Sequence, residues 1–300
     1  MALPRPAPSR RVFRPARRVS WGTRIFAGLV LVVAVGSVGA FLEIFLPQQL
    51  ALTERMESSE LQKARQGTAG VNTSVASLWN ELAAGSVGAP DDQLLKELAL
   101  AKAIQRTSSD ALAHVQAAQA YLTQAEAMPF QLHSPGFVAA DRVTLQHLQS
   151  SLTAASRLAG AASLQLPIAQ SMNQNLRTLA QLDQSLAAHD WAGGARTAAT
   201  LSAAIRPQQG SDANPETLLD PLWARWIDAT ETVVLAAQQY CLAAAQNQAQ
   251  LAQEAAASLA GARNRMTAAY AAAQANASAW QAKTVQPLLA TMSREAAAAA

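Results

Sequence analysis

Two hydrophobic patterns divide the chain. Between Ile25 and Leu46 apolar residues follow one another with few gaps (IFAGLVLVVAVGSVGAFLEIFL), and the only ionised side chain there is Glu43. After Pro47 they recur every three or four residues, spaced by Ala, Gln and charged groups. The first pattern suits a membrane span, because a hydrocarbon core of about 30 Å needs roughly 20 helical residues. A helix also satisfies its own backbone hydrogen bonds in lipid. The second is the periodicity of amphipathic helices. No stretch alternates with the period of two that a half-buried strand needs. The expected class is therefore all-α: one N-terminal transmembrane helix, then an elongated antiparallel helical bundle with coiled-coil-like seams.

Punctuation places the elements within the body. From Gln48 to about Ala84 the pattern is helical, with Gly67 and Gly70 marking a plausible break and Val71, Val75, Leu78, Trp79 and Leu82 forming a stripe. A turn is expected near 85–90. Asp91 and Asp92 then open a helix, where acids complement the N-terminal dipole. Its expected seam is Leu94, Leu98, Ala101, Gln105, Ser108, Leu112, Val115, Ala118 and Leu122, close to a heptad repeat. Two prolines and a glycine predict a loop over 128–138. A third helix follows from about Ala139, and Pro167 kinks it or separates it from a fourth reaching Ala188. His189-Asp190-Trp191-Ala192-Gly193-Gly194 reads as a helical corner. A polar loop is expected over 207–215. One long last helix then starts near Glu216 and, if unbroken to Pro287, runs about 100 Å. Residues 288–300 should fray.

Charge turns the apolar stretch into a topology. The formal net charge of +3 hides an asymmetry: seven arginines and no acid precede the span, whereas 16 Lys+Arg face 19 Asp+Glu after residue 46. A tail rich in arginine and proline (residues 1–24) buries no core and should be disordered. Arginine-rich flanks stay cytoplasmic. Arg14, Arg17, Arg18 and Arg24, with Trp21 as an interfacial residue, are the expected anchor flank. The expected location is a bacterial inner membrane, with the N-terminus cytoplasmic and residues 47–287 extracytoplasmic. Binding to nucleic acid is not expected, since topology already explains the basic tail. A cleaved signal peptide is the competing reading, because Val38-Gly39-Ala40 resembles a cleavage site. Hydrophobicity resumes at once from Phe41 to Leu46, which an uncleaved anchor places in lipid. Both readings export the body.

Candidate chemistry is sparse. The sequence has no glycine-rich phosphate loop, no HExxH, no CxxC and no Gly-x-Ser-x-Gly. The four histidines are scattered, and the Asp110/His114 and His189/Asp190 neighbours read as surface pairs. The one thiol, Cys241, reads as a small residue in a helix interface and can form no internal disulfide. Neither enzymatic activity, nor a cofactor, nor a bound metal is expected. Two features stand out as candidate interaction residues. One is the Trp223-Ala224-Arg225-Trp226 cluster, whose plainer reading is a core anchor on a helix short of large side chains. The other is His133 in the proline-rich loop.

Two functions fit this layout. The first is a structural or assembly subunit of an envelope complex, whose partners are the bilayer, further copies of itself, or other helical membrane and periplasmic proteins. The second is a sensory or ligand-binding ectodomain. The layout resembles the extracytoplasmic bundles of chemoreceptors and histidine kinases, in arrangement only and without shared motifs. The 300 residues hold no second apolar run, so a signal would pass through a partner. A pocket between helices with convergent polar groups would favour the second reading.

Overall fold

The computed structural model describes residues 21–83, 87–128, 136–209 and 215–300, and within 21–42 the side chains of Phe26, 28–37 and Gly39. All the regular structure is helical, and no strand occurs among the described residues. The chain divides into two units, residues 1–53 and 54–300.

The first unit contains α1 (Trp21–Ala40), a π-helical turn (Phe41–Phe45) and the opening turns of α2 (Leu46–Ala83). Phe26, Leu29, Val30, Leu31, Val32, Val33 and Val35 are all exposed, as are Ile44 and Phe45. Ser37 returns its hydroxyl to the Val33 carbonyl at 2.6 Å, which spares it an outside partner. Among the described residues no helix is long and apolar enough to cross a membrane. The span read from the sequence, 25–46, is only partly among them. The side chains of Ile25, Ala27, Val38, Ala40, Phe41 and Leu42 lie outside the description, and the π-helical turn interrupts α-helical geometry before Leu46.

The second unit is a helical bundle. From Glu57 on, α2 buries Glu57, Leu61, Ala64, Thr68, Val71, Val75, Leu78 and Leu82, in steps alternating between four and three. Trp79 is buried beside this row, as its place in the expected stripe suggests. The break expected at Gly67 and Gly70 is absent, and the reason is packing. A Cβ built on Gly67 would lie 2.9 Å from Ala111 Cβ, so this glycine marks a close approach of α2 to the helix that carries Ala111. Gly70 faces open space. The two positions should respond oppositely. Gly67→Leu overpacks the contact and should cost about 1–3 kcal/mol, while Gly70→Ala should gain up to about 1 kcal/mol through helix propensity. Urea unfolding midpoints of the two variants check this.

α3 (Asp91–Glu126) corrects the expected seam. Its buried row is Leu94, Glu97, Ala101, Ile104, Ser108, Ala111, Val115, Ala118, Leu122 and Ala125, an unbroken three–four alternation. Leu98, Gln105 and Leu112 are only half-buried. The larger side chains at 98 and 112 suggest the wrong face, because the close contact at Gly67 requires the small Ala111 instead.

α4 (Gly136–Ala187) packs along α3 and continues through Pro167 as one helix, so the proline does not separate two helices. Pro167 is exposed while Leu166 and Ala169 beside it are buried, so flanking burial offsets the lost hydrogen bond. Asn173 on α4 fastens the α2–α3 turn: its amide donates to the Ala89 carbonyl at 2.9 Å and its oxygen accepts from Gly88 N at 2.6 Å. The expected corner is present. His189 takes a positive φ of 55°, and Asp190 caps α5 (Trp191–Ile205) by accepting from Gly193 N at 2.8 Å.

The stretch 216–287, one rod if unbroken, is two helices. α6 (Pro221–Ala245) ends at Gln246-Asn247-Gln248, where Asn247 adopts φ 54°. The chain reverses into α7 (Ala249–Thr284), and contacts of Trp223 and Trp226 on α6 with Tyr270 on α7 fix an antiparallel hairpin. Asn tolerates the left-handed conformation without a glycine. α6 begins at Pro221 behind the Asp220 cap, not at Glu216, because the short 3₁₀ turn Pro215–Thr217 comes first. α8 (Gln286–Ala298) packs on α4 where fraying was expected. Met292 is buried, its carbonyl accepts from Ser151 Oγ at 3.0 Å, and Glu295 pairs with His147 at 2.7 Å.

Cys241 is fully buried where α6 meets α5. A Cβ on Gly194 would lie 2.8 Å from its sulfur. Burial, reinforced by the Asp190 charge, pushes the thiol above its usual range, which disfavours the reactive thiolate. The native protein should therefore resist a disulfide-exchange reagent and react fully only in denaturant. Prompt labelling of the folded chain would contradict this.

A candidate ligand pocket

A cavity of about 260 Å³ lies in the bundle where the end of α2, the middle of α4, the segment before α6 and the last turns of α7 meet. Three of the six tryptophans of the chain line it: Trp79 from α2, Trp223 from α6 and Trp280 from α7. Each arrives by a different local logic. Trp79 follows Leu78 on the buried face of α2 and is 3% exposed. Trp223 enters in the first turn of α6, one turn ahead of the fully buried Trp226. Trp280 is half-buried, and its indole N–H donates to the Leu218 carbonyl at 3.3 Å.

That carbonyl belongs to a residue with φ 49°. A leucine in the left-handed region is uncommon and costs roughly 1–3 kcal/mol, a strain that concentrates at binding sites. The segment is held from both sides. Leu219 N donates to Thr217 Oγ1 at 3.3 Å, and Asp220 Oδ1 accepts from Leu222 N at 3.0 Å. Asp220 Oδ2 accepts from Asn276 Nδ2 of α7, also at 3.0 Å, so one buried carboxylate ties the start of α6 to α7. Gln281 donates to the Trp79 carbonyl at 2.8 Å. The wall is thus built from cross-links between elements distant in sequence.

Two polar atoms of the lining residues stay without a protein partner. They are the Trp79 indole N–H, a donor, and Gln165 Oε1, an acceptor; both atoms are buried. An unsatisfied buried group costs about 1–3 kcal/mol. Both atoms are shut off from solvent, and the cavity itself combines aromatic walls with a few polar groups, Asp220 among them, the composition of a small-molecule site.

The residues singled out from the sequence divide sharply here. Trp223 lines the cavity. Trp226 lies behind it, packed against Trp223 and Tyr270 with ring centres 6.2 and 5.9 Å away. Arg225 points outward and is exposed. His133, Arg14, Arg17 and Arg18 lie outside the described residues; Trp21 and Arg24 belong to the first turn of α1, with side chains outside the description. His114 pairs with Glu60 of α2 at 2.5 Å instead of with Asp110 one turn before it. Among the described residues no group of three or more His, Cys, Asp or Glu could hold a metal ion. Trp79, Gln165, Asp220 and Trp280 were not legible as a site, since each reads alone as part of a helix stripe or turn. The one available signal was the concentration of tryptophan in a chain otherwise poor in aromatics. No protein-family model, characterised protein or solved structure matches this chain.

Proposed function

We propose that this chain is a membrane-anchored helical bundle whose extracytoplasmic body binds a small molecule in the tryptophan cavity. The observation that carries the reading is a cavity of about 260 Å³ lined by three tryptophans and one buried carboxylate, Asp220. Of the two functions legible in the sequence, this favours the ligand-binding ectodomain over the assembly subunit. The assembly reading rests on exposed apolar residues of the bundle such as Leu235 and Leu242, one heptad apart on α6. Isolated exposed leucines are ordinary on protein surfaces.

The anchor is part of the same proposal. The exposed apolar side chains from Phe26 to Val35 form a run that water tolerates poorly and lipid accepts. The arginine-rich tail orients that run with its N-terminus in the cytoplasm of a bacterial cell. Protease added to spheroplasts should then digest the body, and full protection would overturn the orientation.

The binding site is tested by filling it. Ala277 lines the cavity, and Ala277→Phe occupies it. Small-molecule fractions of a cell extract are added to full chain in non-ionic detergent. An active fraction should raise the melting midpoint of the wild type by a few degrees and leave Ala277→Phe unmoved. Equal responses of both proteins, or no active fraction, would overturn the reading.

A further inference from the structure

The charge of the cavity narrows what it binds. Asp220 is the only ionisable side chain among its described lining residues, and it is 4% exposed. Both of its recorded partners are neutral donors, the Leu222 backbone N–H and the Asn276 amide, each at 3.0 Å. No Lys or Arg is in that lining. The N-terminus of α6 offsets about half a charge at most. A buried carboxylate is costly unless a cation answers it. The walls supply the matching chemistry. The face of an indole attracts cations more strongly than any other side-chain ring, and the attraction grows when water is excluded.

Resting on the ligand-binding reading above, we propose that the cavity takes a small organic cation, a quaternary ammonium or protonated amine. The positive centre sits against Trp79, Trp223 and Trp280 near the Asp220 carboxylate. A volume of about 260 Å³ has room for a metabolite of this size.

Choline and its neutral isostere 3,3-dimethylbutan-1-ol share a shape and differ by one charge, which makes them the decisive pair. They are titrated calorimetrically into the full chain in non-ionic detergent. Choline should bind at one site and about tenfold or more tighter than the isostere, the factor expected for a desolvated cation–π contact. Asp220→Asn keeps an oxygen to cap α6 and removes the charge. It should weaken choline by about tenfold and leave the isostere nearly unchanged. Trp280→Leu should also weaken choline, and melting curves of both variants establish that they fold. Equal affinity for the two compounds in the wild type would overturn the proposal. So would a choline-to-isostere ratio that Asp220→Asn leaves unaltered, or binding of neither compound. In each of these cases the comparison of wild type with Ala277→Phe in extract fractions separately decides whether the cavity is a site at all.

Discussion

Trp226→Ala should lower the stability of the bundle by about 3–5 kcal/mol, the range for truncating a buried large aromatic. Trp226 is 1% exposed and makes ring contacts with Trp223 on its own helix and Tyr270 on α7. Its removal opens a hole where α6 and α7 are stapled together. In a domain with a total stability of roughly 5–15 kcal/mol, that is a large share. The midpoint of urea unfolding, followed by helical circular dichroism, should fall accordingly. Its neighbour Arg225, exposed on the same turn, is the control: Arg225→Ala should stay within about 0.5 kcal/mol of wild type. The same substitution at 226 should also loosen Trp223 and impair binding in the cavity. Equal, small effects of the two changes would mean that the tryptophan is not part of the core.

The second large effect is one of pH. Glu57 occupies a seam position on α2, is 1% exposed, and has one carboxylate oxygen without a protein partner. Burial, with the negative charges of Asp141 and Glu54 adding to it and Arg65 opposing, pushes its pKa from 4.5 to about 7. The folded chain therefore holds this proton more tightly than the unfolded chain. The stability that Glu57 contributes is fully present below pH 4.5 and is lost as pH rises through 7. A shift of this size corresponds to about 3 kcal/mol. Glu97 and Asp141 are displaced the same way, each chiefly by burial. Three acids move the other way: Glu60 beside Lys63 and His114, Asp91 beside Arg177, and Glu295 beside His147. The stabilisation these acids contribute is lost as pH falls through the usual carboxylate range. Melting midpoints should thus fall from pH 5 to pH 8. Glu57→Gln, which mimics the protonated group, should remove most of that fall and melt higher than wild type at pH 8. An unchanged slope in the variant would show that Glu57 is not buried in this way.

Much of the helical order was legible in the sequence, because it follows from spacing. The stripe of α2 and the corner at His189-Asp190 are carried by local residues alone. What was not legible depends on neighbours. Leu98 and Leu112 outweigh Ala111 by size, yet a close contact with Gly67 selects the small residue and rotates the buried face of α3. The reversal at Asn247 lies in an alanine- and glutamine-rich run without Gly or Pro, so one polar residue in the left-handed conformation does what punctuation usually signals. The end of the chain looks too plain to pack, but His147, 148 positions earlier, supplies the partner for Glu295. The cavity is the extreme case. Trp79, Gln165, Asp220 and Trp280 share no spacing, and only the fold brings them together. Of the lining residues only Trp223 stands out in the sequence as an interaction candidate, through its neighbours Arg225 and Trp226, neither of which lines the cavity.

The most direct measurement is native mass spectrometry of the full chain released from detergent in the presence of an active small-molecule fraction. The wild type should carry one added small-molecule mass, and Ala277→Phe should appear bare. Equal masses for the two proteins would contradict a ligand site among Trp79, Trp223 and Trp280.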